Sequence, residues 1–163
     1  MATQSSANST KKDLKYFMVS TEDEIVTVPG ISTFKDEDGK VIDFEVKKLS
    51  QKEITDLNNK YRKRTMATDK KGNPLINGNE VVFKTERDGE KSTRHLIVEA
   101  LVYPNLKDKE LMEYYNCVDV TEMPRLVFRN SDDYMYVVNT VMKVLGLSTG
   151  VDDDEEDLEA AKN

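Results

Sequence analysis

The sequence predicts an α+β domain that is mostly α-helical, with a small N-terminal β-hairpin region followed by a helical bundle. Before residue 50, short apolar runs interleave with polar residues around an Asp-Gly pair, which is typical of a tight β-turn. After residue 50, apolar residues recur at helical spacing behind helix-capping residues. The chain has 163 residues, which is enough for one domain with its own core.

The N-terminal part of the body is expected to hold the β-structure. Residues 24–34 and 40–49 carry short apolar runs on either side of Asp38-Gly39. A glycine at this place accepts the positive φ angle that a tight hairpin turn requires. These runs therefore predict the β-hairpin region.

The first predicted helix begins at a capping box. Ser50 and Glu53 have the spacing at which each side chain accepts a hydrogen bond from the other residue's backbone. Ile54, Leu57 and Tyr61 then fall on one helical face. The helix is predicted to close within residues 61–64, because the cations there suit the negative end of the helix dipole.

A loop-rich segment follows this helix. Residues 69–91 contain clustered Gly, Asn and Pro, which are typical turn residues. Within them, residues 80–86 are a strand candidate, and Asp88-Gly89 is expected to turn the chain. The segment is therefore predicted to be an inserted hairpin or a long surface loop.

The C-terminal half is expected to be helical. Residues 93–103 are apolar on nearly every side, and periodicity alone does not distinguish a buried strand from a buried helix. The length of this run and the stop at Pro104 favour a central buried helix. Three further helices are predicted over residues 107–115, 121–128 and 132–145. Ser131 is expected to cap the last one, and Gly146 is expected to end it.

Two polar ends flank this body. Residues 1–12 are rich in Ser, Thr and Asn and are predicted to be a disordered leader. Residues 148–163 contain six consecutive acids at 152–157 and are predicted to be a disordered acidic tail. This tail is either a solubilising end or a mobile polyanion that keeps an adhesive surface from aggregating. Residues 13–147 are then expected to form a single domain.

The last helix has an unusually wide apolar face. Its apolar residues cover about half of the circumference, more than the stripe of a typical surface helix. We therefore expect it to contact two surfaces: the core, and either a second internal helix, which is the favoured interpretation, or a partner. The candidate partner-binding residues are Tyr103, Tyr115, Met135, Val138 and Met142.

No catalytic, metal-binding or cofactor-binding pattern is present in the sequence. His95 has no motif partner, and Cys117 is the single cysteine, which excludes an internal disulfide and a Cys-rich zinc site. The net charge is −7, so the composition argues against binding to nucleic acid phosphates. No stretch reaches the roughly 20 apolar residues of a membrane helix. A binding or assembly protein is therefore expected rather than an enzyme.

Residues 34–147 resemble the XkdN-like tail assembly chaperones of phages and prophages in Gram-positive bacteria. The residues that carry the resemblance are 34–39 with 44–53, 96–111 and 126–146. The middle segment has an apolar helix, then Val-Tyr-Pro-Asn-Leu, then a short helix. Three features depart from the family pattern: Phe44 in place of a frequent Trp, the Asn130-Ser-Asp-Asp start of the last helix, and the insertion at 69–91.

The resemblance implies a concrete function. Such chaperones coat the tape measure protein before the tail tube polymerises around it. They act in the host cytoplasm and are absent from the mature virion. Related systems make a longer, frameshifted form that recruits tail tube protein, and this chain would then correspond to the short form. A homo-oligomer on the target is expected, and no cofactor is implied.

Two other functions compete with this one. A structural subunit of the phage tail or baseplate would be found in purified virions. A metal- or nucleotide-dependent enzyme would be stabilised against heat by its ligand. The absence of catalytic motifs argues against the enzyme.

Overall fold

The computed structural model describes residues 12–147. The predicted leader, apart from Lys12, and the predicted acidic tail at 148–163 lie outside these residues. The strands are β1 Ile25–Val28, β2 Phe44–Lys47, β3 Arg62–Met66, β4 Ile76–Asn77, β5 Glu80–Val81, β6 Phe83–Arg87 and β7 Leu101–Tyr103. The helices are α1 Gln51–Lys60, α2 Gly89–Ala100, α3 Lys109–Tyr114, α4 Met123–Val127 and α5 Ser131–Val144, with 3-10 helices at Leu14–Phe17 and Val120–Glu122.

A three-stranded antiparallel sheet with the order β1-β2-β7 forms one side of the core. Phe44 and Val46 of β2 are buried and Glu45 between them is exposed, as the alternation of a half-buried strand requires. Val46 is opposite Leu101 of β7, which is also buried. The sheet therefore joins the N-terminal region to a strand that follows α2 directly.

The predicted layout, a hairpin region followed by a helical bundle, is wrong, although the fold is α+β. Strands and helices interleave along the chain. The helix predicted at 93–103 ends at Ala100, and residues Leu101–Tyr103 continue as a strand beside β2. An apolar run suits a buried helix and a buried strand equally, and the free backbone groups of β2 decide between them.

The first helix is also shorter than predicted. The Ser50 capping box is present, and α1 ends at Lys60 with Tyr61 as its C-cap. The cations that follow do not end a helix, because Arg62–Met66 is a strand that pairs with β6. Asp88-Gly89 does not turn a hairpin either: Asp88 is the N-cap of α2 and accepts a hydrogen bond from the Lys91 amide.

Strands β3 and β6, with the short β4–β5 pair beyond them, form an extended two-stranded arm (residues 62–87). All five residues of β6 and four of the five in β3 are exposed. The arm therefore presents two solvent-facing faces instead of covering the core.

Helices α2, α4 and α5 cover the sheet. Three aromatic rings mark the centre of the core: Phe34 and Phe44 each approach Phe128, with ring centroids 5.8 Å apart in both pairs. Ile97 of α2 and Val137 and Val141 of α5 pack against the same core. No helix within residues 12–147 is long and apolar enough to cross a membrane.

Helix α5 is held at both ends and along its length. Its N-cap is Asn130, not the predicted Ser131, and the Asn130 side chain accepts a hydrogen bond from the Asp133 amide. The hydroxyl of Thr33 donates to the buried Asp133 carboxylate at 2.7 Å. At the C-terminus Gly146 has a φ of 71°, and the Leu147 amide donates to the Met142 carbonyl at 2.8 Å. These bonds complete a glycine C-cap, as predicted.

Candidate partner-binding surface

Two of the predicted partner-binding residues lie together. Met135 and Val138 line a depression of about 280 Å³, and Tyr134 of the same helix lines it as well. Met135 is 50% exposed, whereas Val138 also packs against the core. The wide apolar face of α5 thus contacts the core on one side and borders an open depression on the other.

The other wall of the depression is polar. It is formed by the start of α2, with Glu90 and Thr93, and by Arg125 of α4. Nη2 of Arg125 donates to Oε2 of Glu90 at 3.0 Å. An apolar wall facing an ion-paired wall matches the two sides of an amphipathic helix.

A buried arginine holds this polar wall in place. The side chain of Arg94 is 7% exposed. Its Nε donates to the Thr121 carbonyl at 3.0 Å, and its Nη2 donates to Oε1 of Glu122 at 3.0 Å. Arg94 therefore ties α2 to the 3-10 helix that precedes α4. The role of Arg94 was not predicted, since a single cation beside an apolar run carries no signal of its partners.

The remaining predicted residues lie elsewhere. Met142 packs against a second apolar cluster formed by Ile54, Leu57 and Leu96. Tyr103 is exposed on β7, an edge strand of the sheet. Tyr115 is half-buried against the core. Their predicted role in partner binding remains a prediction, and Met142 is half-buried against an apolar cluster.

A continuous exposed apolar segment near the N-terminus was not predicted. Residues 14–19 contain Leu, Tyr, Phe, Met and Val, and all of these side chains are exposed. Phe17 is 81% exposed and Val19 is 74% exposed. The 3-10 helix within this segment is capped by Asp13, whose side chain accepts a hydrogen bond from the Lys15 amide. The signal was in the sequence: five large apolar residues in six, next to a polar stretch.

The comparisons with known proteins decide the family. The family model described as "Phage XkdN-like tail assembly chaperone protein" matches residues 14–162. The chain belongs to this family. The resemblance stated above is thereby confirmed, and the family assignment indicates a non-enzymatic role in phage tail assembly.

Relatives and a solved structure agree with this assignment. The chain is 33% identical to "Uncharacterized protein YqbN" of Bacillus subtilis strain 168 over 154 residues, 93% of each chain. It is 28% identical to "Phage-like element PBSX protein XkdN" of the same organism over 162 residues, 98% of this chain and 99% of the relative. A crystal structure of YqbN superposes with a TM-score of 0.64 at 25% identity, covering 83% of this chain and 98% of that one.

In this member of the XkdN-like family, His95 has partners that the sequence did not indicate. Its Nδ1 lies 2.6 Å from the Tyr61 hydroxyl, and its Nε2 lies 3.5 Å from Oε1 of Glu99. Burial lowers the pKa of His95, and the Glu99 carboxylate only partly opposes this effect. The imidazole is therefore neutral at pH 7 and connects α1 to α2 by a hydrogen bond.

Cys117 is not an activated nucleophile. Burial and the nearby Asp119 carboxylate raise the pKa of its thiol, which disfavours the reactive thiolate. Its Sγ donates to the Asp119 carbonyl. Among residues 12–147, no group of three or more His, Cys, Asp or Glu side chains is arranged to hold a metal ion.

Proposed function

We propose that this chain binds the tape measure protein of its phage and keeps it soluble until the tail tube polymerises around it. The observation that carries the proposal is the exposed apolar surface in a member of the tail assembly chaperone family. Two regions make up this surface: the exposed segment 14–19 and the depression beside α5. A long helical, apolar protein would aggregate alone, and a small domain that masks its apolar face would prevent this.

The shape of the surface supports weak, repeated binding. The depression is open and small, about 280 Å³, so each contact with a helix of the tape measure protein is expected to be weak enough for tube subunits to displace it. Many copies on one tape measure chain would supply avidity. The proposal includes self-association on the target, action in the host cytoplasm and absence from the virion. Tail tube protein would be recruited by a frameshifted longer form.

The test is co-expression with the tape measure protein of the same phage, followed by sizing of the soluble fraction. A soluble complex with several copies of this chain per tape measure chain is expected. An insoluble tape measure protein, with this chain eluting alone, would refute the proposal. Detection of this chain in purified virions would instead favour a structural subunit of the tail or baseplate.

Single substitutions test whether this surface binds the tape measure protein. Phe17→Asp and Met135→Asp each change an exposed side chain, so the free energy of unfolding should shift by no more than about 0.5 kcal/mol. Both should reduce the tape measure protein recovered in the soluble fraction. Val118→Asp is the matched control, because Val118 is 96% exposed and lies outside this surface. Equal recovery with all three variants would contradict the assignment of the surface.

Met142→Asp tests whether Met142 belongs to the partner-binding surface or supports the fold. Met142 packs against the cluster of Ile54, Leu57 and Leu96, and a carboxylate there loses hydration without a partner. We expect the free energy of unfolding, measured in urea, to fall by about 2 kcal/mol, against no more than about 0.5 kcal/mol for Met135→Asp. If both substitutions were equally mild, Met142 would belong to the surface after all.

A further inference from the structure

One face of the arm carries arginines without any carboxylate. In the antiparallel β3–β6 pair, Arg62 is opposite Arg87 and Met66 is opposite Phe83. Directly opposed residues, and alternate residues along one strand, project from the same face. The arginine face therefore comprises Arg62, Arg64, Met66, Phe83, Thr85 and Arg87.

The positive charge of this face is not compensated. Within residues 12–147, none of its three arginines forms an ion pair, whereas Lys84 on the opposite face is paired with Glu86. The guanidinium of Arg64 stacks 4.5 Å from the centre of the Phe83 ring. Every residue of the face is exposed. This combination is a binding surface for a polyanion: fork-shaped donors for carboxylates beside an aromatic platform.

The chain carries a matching polyanion that starts close to the arm. Leu147, the last described residue, packs against the cluster of Ile54, Leu57 and Leu96. Tyr61 packs against the same cluster and directly precedes Arg62. The ten residue steps from 147 to 157 span up to about 35 Å when extended, and the five steps from Leu147 to Asp152 span up to about 17 Å. A segment of this length is long enough to bring the acids of 152–157 to the arginine face.

We propose that the acidic run at 152–157 binds the arginine face of its own chain. Each guanidinium then gains a carboxylate, and the exposed Phe83 ring and Met66 thioether of the face are covered. Tethering places the acids at an effective concentration of the order of millimolar near the arm, so weak individual ion pairs suffice. The tail thereby screens the arm from other anionic or apolar partners until one displaces it.

Paramagnetic relaxation in the full-length chain tests this contact. Cys117→Ser removes the native thiol, and Leu158→Cys places a nitroxide next to the acidic run. At about 20 mM salt, amide signals of β3 and β6 should lose about half of their intensity, and at about 0.5 M salt they should recover because the charges are screened. Unchanged β3 and β6 signals at low salt overturn the proposal.

Matched variants identify the face. Arg62→Gln, Arg64→Gln and Arg87→Gln together should abolish the signal loss. The matched control combines Lys63→Gln, Lys70→Gln and Lys84→Gln. It removes the same number of positive charges from the arm but none from the arginine face, so the signal loss should persist. Equal effects of the two triple variants would overturn the proposal.

Two further samples cover the remaining outcomes: an arginine variant that does not fold, and binding between two copies of the chain. If the arginine triple variant does not fold, a second variant tests the same contact. In it the acids at 152–157 are replaced by Asn and Gln, so no described residue changes. A mixture of spin-labelled chain with isotope-labelled, spin-free chain detects binding between copies. Broadening of the arm in that mixture, equal to that within one chain, would replace the proposal by a contact with a second copy.

Discussion

Replacing Arg94 by Met tests whether the polar wall of the depression depends on a buried cation. Arg94 is almost fully covered and bonds to the Thr121 carbonyl and to Glu122. Met fills a similar volume without the charge, so the substitution removes the ion pair and the hydrogen bond but leaves only a small cavity.

The expected loss follows from the exposure of each partner. Removing one member of a fully buried ion pair costs about 3–5 kcal/mol. The side chains of Glu122 and Glu90 are 42% and 82% exposed, so water solvates their carboxylates after the substitution. The carbonyl of buried Thr121 loses its partner, which costs about 1–3 kcal/mol. We therefore expect Arg94→Met to lower the free energy of unfolding by about 2 kcal/mol.

Arg125→Met is the matched control. Arg125 also pairs with Glu90, but its side chain is 49% exposed. A pair at the surface contributes about 0–1 kcal/mol, so the control should lose about 0.5 kcal/mol. Urea denaturation followed by circular dichroism measures both variants with one protocol. Equal losses in the two variants would refute the view that burial of Arg94 is decisive.

Two more predictions concern a close backbone approach and an acid. A Cβ on Gly30 would lie 1.7 Å from the Ile42 carbonyl oxygen, so Gly30→Ala should cost more than about 2 kcal/mol. Gly39→Ala meets open space at a φ of 79° and should cost about 1 kcal/mol; thermal unfolding that ranks the two the other way would contradict this reasoning. Hydrogen bonds from the Thr121 hydroxyl and amide lower the pKa of Asp119 to about 2, against an opposing effect of burial. A lowered folded-state pKa stabilises only above the unfolded value, and water screens this half-exposed side chain, so Asp119→Asn should lose about 1 kcal/mol at pH 7. The difference from the parent should shrink as the pH falls through about 2, where the parent carboxylate becomes protonated. A pH-independent difference in urea titrations would count against this reasoning.

Local signals in the sequence predicted two helix caps correctly. The predicted Ser50 capping box of α1 and the predicted Gly146 cap of α5 are both present. Each of these features depends on hydrogen bonds between residues at most five positions apart, so the sequence contains both partners within one short window. The resemblance to the XkdN-like family rested on the same local pattern of helix starts and stops, and the family match confirmed it.

Strands that need a distant partner were missed. Leu101–Tyr103 and Arg62–Met66 were both assigned to helices or helix ends, yet each is a strand. The first pairs with β2, more than fifty residues earlier, and the second pairs with β6 across the arm. The residues around each strand in the sequence do not include its pairing partner. An apolar or basic run by itself is compatible with either a helix or a strand.

The candidate partner-binding residues show the same difference between what the local sequence predicts and what distant contacts determine. The apolar periodicity of one helix predicted that Met135 and Val138 share a face, and in the structure both line the depression. The same periodicity grouped Met142 with them, but Met142 is partly buried against a cluster from α1 and α2. The sequence alone determined which residues share a helical face. Only the tertiary structure decided which part of that face is covered, because burial depends on elements that are distant in the chain.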